Sequence, residues 1–331
     1  MLATTLVGCG LAACDENPPP GALDFVPLDA AVVGQADLAS LGRSRFLGRI
    51  LEPLEAEQDI DALGPWQVHC GVDLVRNVDR VTLTMTASGM SRSEFALVLE
   101  GRLDPDRVLG CARRRADREG RRLVVESWSG AKVVRSGERG SGVIALVPTG
   151  PVLVGYGRLV RKMLRLAESN GPSIRGDRAV VDLLTTLGAR RGAGDGKGPA
   201  QARRGGAGIV VRPPPDLRAE ARERLVPALR PLADAELVAA GISLGSDLAL
   251  TAMARFSEQA TVRRLARDAR RQTDAMADDP VIALTPFARP IEALEIDSTG
   301  RDIVLGATLT ERELEQIVSE IGEWLEEVRG R

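Results

Sequence analysis

The amino-acid sequence predicts an α+β protein made of two similar halves, each an antiparallel sheet with helices packed on one face. Three observations carry that prediction. Short runs alternate apolar and polar residues and come in pairs separated by turn residues, which is the pattern of hairpins. Stretches with apolar residues three and four apart stand between those pairs, which is the pattern of helices. A Gly-rich, charged segment divides the chain, and on each side the elements run strand, helix, hairpin, helix, hairpin, helix. Hairpins joined by helices build antiparallel sheets, not the parallel sheets of alternating β and α units.

The first half spans residues 25–187. Ala30-Ala31-Val32-Val33-Gly34 is β-prone, and a helix is predicted from Leu41 to Ala56 with Phe46, Leu47, Ile50, Leu51 and Leu54 apolar. A second helical piece is expected around Asp59–Leu63. Val81–Ala87 alternates strictly, Ser88-Gly89 supplies a turn, and Phe95–Leu99 completes a hairpin. Asp104-Pro105 reads as a helix start, with aspartate as N-cap and proline at the first helical position. Strands are expected at Leu123–Trp128, Ala131–Arg135, Val143–Val147 and Pro151–Gly155, and helices at Leu159–Glu168 and Ala179–Leu187.

The segment 188–208 is rich in glycine and arginine, buries no apolar area, and reads as a linker or loop. The second half, 209–331, follows. Gly208–Val211 reads as a strand and Asp216–Leu229 as a helix. Gly241–Leu244 with Leu248–Met253 forms a predicted hairpin, and Thr261–Met276 a long helix. Ile291–Ile296 and Asp302–Gly306 flank a turn at Ser298-Thr299-Gly300. Thr310-Glu-Arg-Glu is a capping box opening a last helix whose apolar stripe is Leu314, Ile317, Ile321, Trp324 and Val328.

Composition narrows the function classes. The net charge of −2 gives no basic footprint for nucleic acid. Aromatics make up 3% of residues, too few for base-stacking platforms. Lysine occurs only at Lys132, Lys162 and Lys197, and the arginines are scattered over helical faces, a mark of GC-rich coding. A histidine metal site or a Ser-His-Asp arrangement would rest entirely on His69, the single histidine.

Met1–Ala13 is apolar or small and uncharged, too short for a bilayer span of about 20 residues but suited to a signal-peptide h-region. Its end, Leu11-Ala12-Ala13-Cys14, resembles the lipobox of bacterial lipoproteins. The resemblance implies that residues 1–13 are a cleaved signal peptide and that the Cys14 thiol carries diacylglycerol. Leu6-Val7-Gly8-Cys9 fits the same pattern but leaves no usable h-region before it. No Lys or Arg precedes Arg43, so the positively charged n-region of such signals is missing; an ordinary buried N-terminal segment is the alternative. Residues 14–24 then form a Pro-rich tether, Asp15-Glu16-Asn17-Pro18-Pro19-Pro20-Gly21, which at about 3.1 Å per residue holds a domain roughly 30 Å from the acyl chains. Asp15 after the cysteine resembles the inner-membrane retention signal of enteric bacteria, but which membrane holds the anchor stays open.

Cleavage before Cys14 discards Cys9 and leaves Cys70 and Cys111 as a pair. In an oxidising envelope such a pair tends to close a disulfide, worth on the order of 4 kcal/mol for a loop of about 40 residues. Two isolated cysteines lack the CxxC spacing of a zinc site. The opening Pro27-Leu28-Asp29-Ala30 and the following Ala36-Asp37-Leu38 resemble uncharacterised exported proteins of the DUF3352 kind, which carry no assigned activity.

No catalytic residue, cofactor site or metal site is expected. Gly155-Tyr156-Gly157 lacks the third glycine of a dinucleotide fingerprint, with Val160 in its place. Gly194-Asp195-Gly196-Lys197-Gly198 has neither the spacing of a P-loop nor the Ser or Thr after its lysine. The acidic pairs Asp59/Asp61, Asp278-Asp279 and Glu326-Glu327 read as solvated charge, and Arg113-Arg114-Arg115 with Arg121-Arg122 as complements of a helix C-terminus. The expected protein is lipid-anchored in the cell envelope and faces the periplasm, with a non-enzymatic binding or scaffolding role toward an envelope protein or an apolar ligand. A carrier of a lipid or other apolar ligand is the alternative, and an envelope hydrolase the third reading.

Overall fold

The computed structural model describes residues 20–42, 74–90, 94–137, 142–148, 150–189, 205–225, 230–245, 247–285, 288–314 and 316. The strands are β1 (Ala30–Asp37), β2 (Val78–Thr86), β3 (Phe95–Gly101), β4 (Leu123–Trp128), β5 (Ala131–Ser136), β6 (Gly142–Leu146), β7 (Val152–Tyr156), β8 (Gly205–Val211), β9 (Leu237–Leu244), β10 (Leu248–Arg255), β11 (Glu295–Thr299) and β12 (Asp302–Leu309). They form one sheet of 12 strands in the order β11-β12-β10-β9-β8-β1-β2-β3-β7-β6-β5-β4. Every neighbouring pair is antiparallel, so the α+β prediction holds.

The helices are α1 (Leu38–Leu41), α2 (Leu74–Asn77), α3 (Ala87–Met90), α4 (Pro105–Arg118), α5 (Gly157–Glu168), α6 (Arg178–Ala189), α7 (Pro215–Arg224), α8 (Gln259–Ala277) and α9 (Ala288–Glu292). The predicted helix start at Asp104-Pro105 is present: the Asp104 carboxylate accepts from the backbone N–H groups of Asp106 and Arg107. At the far end of the chain, Thr310 and Glu313 make the reciprocal bonds of the capping box.

Several expectations need correction. Whether the two halves pack together is left open by the sequence; β1 pairs with β8 from Val32↔Val211 to Ala36↔Ala207, so the strands on both sides of the Gly-rich segment share one sheet. β8 begins at Gly205, inside the predicted linker; a Cβ at Gly206 would stand 3.0 Å from the Ile242 carbonyl oxygen of β9, and one at Gly208 3.1 Å from Leu187 of α6, so the glycines suit a crowded strand. Ser88-Gly89 belongs to the short helix α3 rather than a tight turn. Ile291 lies in α9, and the last hairpin starts only at Glu295 and turns at Gly300, whose φ of 59° suits glycine. The helix expected over Asp216–Leu229 ends at Arg224, with 226–229 outside the described residues. Of the helix expected at Leu41–Ala56, Leu41 ends α1 and Gly42 caps it; residues 43–56, and the helix expected at Asp59–Leu63, lie outside the described residues.

Helices do not keep to one face. On the first face, α5 packs Leu159, Val160, Met163 and Leu164 against Ala96, Val98, Val133, Ala145 and Leu153. Beside it, α6 packs Val180, Leu183, Leu184 and Leu187 against Val33, Val210, Ala239, Met253 and Val304. On the opposite face, α4 sets Val108 and Leu109 on Val134, Leu146 and Val152 near one end of the sheet. At the other end, α8 sets Val262 and Leu265 on Ala254 and Ile303. The physical reason is in the strands: β9 (LVAAGISL) and β10 (LALTAMAR) are apolar at odd and even positions alike, so both faces require cover.

Candidate functional site

Side chains in a strand alternate between faces, and the ladder register shows which of them line up across the sheet. On the face that carries α4 and α8, one row runs Leu83, Gly34, Ile209, Ala240, Ala252, Leu305 through β2, β1, β8, β9, β10 and β12. The next row on the same face runs Val81, Ala36, Ala207, Ile242, Leu250, Ala307. Every member of both rows is aliphatic or glycine. A third row, Leu244, Leu248 and Leu309, is closed over by Leu41, with Leu38 and Leu314 packed against it.

Between the covers formed by α4 and α8, the first two rows floor an open trough of about 710 Å³, bordered also by Leu294. Ile209, Ile242 and Leu250 are 36%, 36% and 37% exposed there, and among the described residues none that lines it is charged. Of its polar lining residues, Gln35 turns away, donating to Thr82 Oγ1 on the other face, and Thr251 alternates to that face as well. A second cavity of about 620 Å³ runs beneath α8 and shares Ala252 and Leu305 with the trough. Its mouth is polar, with Asp268, Arg271 and Gln272. Among the described residues, the lining is apolar along the floor and polar at the end under α8.

Small residues shape the floor. At Gly34 a Cβ would meet only ordinary contacts, 3.6 Å from Leu83 Cβ, so glycine there widens the trough without being forced by the backbone. Gly208 and Gly241 act on the other face, where a Cβ would stand 3.1 and 3.0 Å from Leu187; their bareness lets α6 close on the sheet.

Cys14, Cys70 and His69 lie outside the described residues, so none of them is placed against the trough. Cys111 sits on α4, 1% exposed, and is disulfide-bonded; its partner is not among the described residues. Among the motifs set aside, Gly155 is a packing glycine: its Cβ would lie 2.4 Å from the Phe95 carbonyl oxygen, where β7 presses on β3. Asp278 caps α8, and Asp279 accepts from the Val281 N–H. Gly194–Gly198, Asp59/Asp61 and Glu326-Glu327 lie outside the described residues. In the arginine cluster, Arg115 and Arg121 both pair with Glu119 and hold its carboxyl below the usual range, the Arg115 hydrogen bond first. Among the described residues no cluster of His, Cys, Asp and Glu could hold a metal, and no helix is long and apolar enough to cross a membrane.

The trough was not singled out in the sequence. Its signal is the failure of β9 and β10 to alternate with polar residues, which marks two apolar faces but not which one stays open.

No protein-family model matches the chain, and no curated protein matches it. Among solved structures, one described as crystal form I of TP0453 aligns with a TM-score of 0.45 at 12% identity, covering 91% of this chain and 97% of that one.

Proposed function

We propose that the protein is a lipid-anchored, non-enzymatic component of the cell envelope whose trough holds an apolar ligand of the acyl-chain class. The observation that carries this is the uncharged floor of aliphatic residues, about 710 Å³ in extent. That volume falls within the roughly 300–1,000 Å³ usual for small-molecule sites. Water over such a surface is released when an acyl chain lies on it, worth about 25 cal/mol per Å² of apolar area covered. The anchor rests on the lipobox ending at Cys14, and the pairing of Cys70 with Cys111 belongs to the same reading, since both follow from export. The similar order of elements before and after the Gly-rich segment belongs to it too: outward from the β1·β8 seam, β2-β3-β7 on one side answers β9-β10-β12 on the other.

The test uses the whole chain and a fluorescent fatty acid. Saturable binding to the parent is expected, with at least a tenfold loss, about 1.4 kcal/mol, in the double variant Ile242→Asp, Leu250→Asp. Both side chains are already more than a third exposed, so the fold tolerates the change, which circular dichroism checks. Absence of saturable binding by the parent, or full affinity in the variant, rejects the ligand. For the anchor, Cys14→Ala is expected to move the protein from the membrane to the soluble fraction; an unchanged distribution rejects it.

A further inference from the structure

We propose that the cavity under α8 seats the head of the ligand, and that this head is neutral and bears hydroxyls, with one acyl chain running on into the trough. The proposal rests on the acyl-ligand reading above and adds what the head must be. Continuity comes first. Ala252 and Leu305 line both spaces, and both stand in the row Ile209, Ala240, Ala252, Leu305 that floors the trough. Beyond them the cavity keeps an apolar wall, with Val238, Ala254 and Ile303 from the sheet and Leu265 from α8. Its polar lining residues among those described are Asp268, Arg271 and Gln272, three and four apart and so on one side of α8. A chain that lies through both spaces therefore meets polar groups at one end, the mouth under α8.

The chemistry of that mouth selects the head. Arg271 Nη2 donates to Asp268 Oδ1, so the two charges are paired within it. Of the neighbouring arginines, Arg270 donates to the Ile296 carbonyl oxygen and Arg267 to that of Arg263, and Arg264 does not line the cavity. A carboxylate head only accepts hydrogen bonds, and beside Asp268 it meets a like charge whose guanidinium partner is already engaged. A hydroxyl both donates and accepts. It donates to the Asp268 carboxylate and accepts from a further N–H of Arg271 or from the Gln272 amide, leaving the ion pair in place.

The experiment measures displacement of the fluorescent fatty acid from the whole chain by dodecanoic acid, its methyl ester and monododecanoylglycerol. The ester carries the chain without a donor and so reports the chain alone. The glyceride is expected to bind about tenfold more tightly than the ester, the scale of one hydrogen bond to a charged group, and dodecanoate no more tightly than the ester. Dodecyl glucoside joins the series because a sugar supplies the same hydroxyls; a gain over the ester by either compound supports the head site, and their order tells a glycerol from a sugar. Asp268→Ala frees the Arg271 guanidinium, and its side chain is 41% exposed, so the fold tolerates the change. In that variant the glyceride is expected to fall to the ester's affinity and dodecanoate to rise above both. Equal binding of ester, glyceride and glucoside, dodecanoate as the tightest in the parent, or an unchanged order in Asp268→Ala rejects the neutral head and leaves the acyl ligand standing. Displacement by none of the compounds rejects both. A glyceride preference kept at full affinity in Ile242→Asp, Leu250→Asp leaves the head under α8 and overturns the run into the trough.

Discussion

At the scale of single residues, polar groups of the described structure fasten elements together. Glu126 on β4 shows how. It accepts from Arg135 of β5, Nη2 at 2.6 Å and Nε at 3.0 Å, and from the Trp128 indole at 2.9 Å. Arg161 of α5 lies over the Trp128 ring, 4.1 Å from its centroid, a cation–π contact. The Arg135 guanidinium first, and the Trp128 indole second, hold the Glu126 carboxyl below the usual carboxylate range. A carboxyl with a depressed folded pKa contributes stability that is present above its ordinary value, roughly 4.3, and is lost as pH falls through the depressed one. Acid titration followed by tryptophan emission is therefore expected to show a transition below the usual carboxylate range that Glu126→Gln removes. A variant with the parent's profile would show that another group reports there.

At the scale of elements, the contact between α6 and the centre of the sheet depends on what β8 and β9 omit. Leu187 occupies the space left by Gly208 and Gly241, and the Ala207 carbonyl oxygen stands 3.3 Å from where a Gly241 Cβ would go. Gly241→Val is expected to cost about 1–3 kcal/mol by overpacking, read as a lower urea midpoint with an unchanged slope. An unmoved midpoint would mean that α6 adjusts freely.

Most elements were legible from the chain. The alternation of Val81–Ala87 and the caps at Asp104 and Thr310 identify β2, α4 and the last helix because those signals are local. What the chain hid was non-local. Ile291 is apolar and suits a strand by sequence, yet Pro290 removes a ladder donor there and α9 forms instead. The trough escaped because openness depends on where α4 and α8 stop, which no residue in β8, β9 or β10 records. Gly205 reads as linker by sequence because glycine suits both a flexible segment and a crowded central strand.

At the scale of the molecule, the β1·β8 ladder and α6 tie together the strands on either side of the Gly-rich segment. Helix α6 belongs by sequence to the part before that segment, yet it packs on Val210, Ala239, Met253 and Val304 after it. One cooperative unfolding transition is expected, with tryptophan emission and far-ultraviolet circular dichroism coinciding. Two separated transitions would show that the parts stand independently.

The absence of charge among the described residues that line the trough has a thermodynamic consequence for the proposed ligand. An occupant that buries only aliphatic surface carries a negative heat-capacity change, so the enthalpy of its association falls steadily as temperature rises. With no ion pair to screen at the floor, added salt leaves the electrostatic part of that association nearly untouched. An association at the middle of the sheet's twelve strands would thus respond to temperature and hardly to ionic strength.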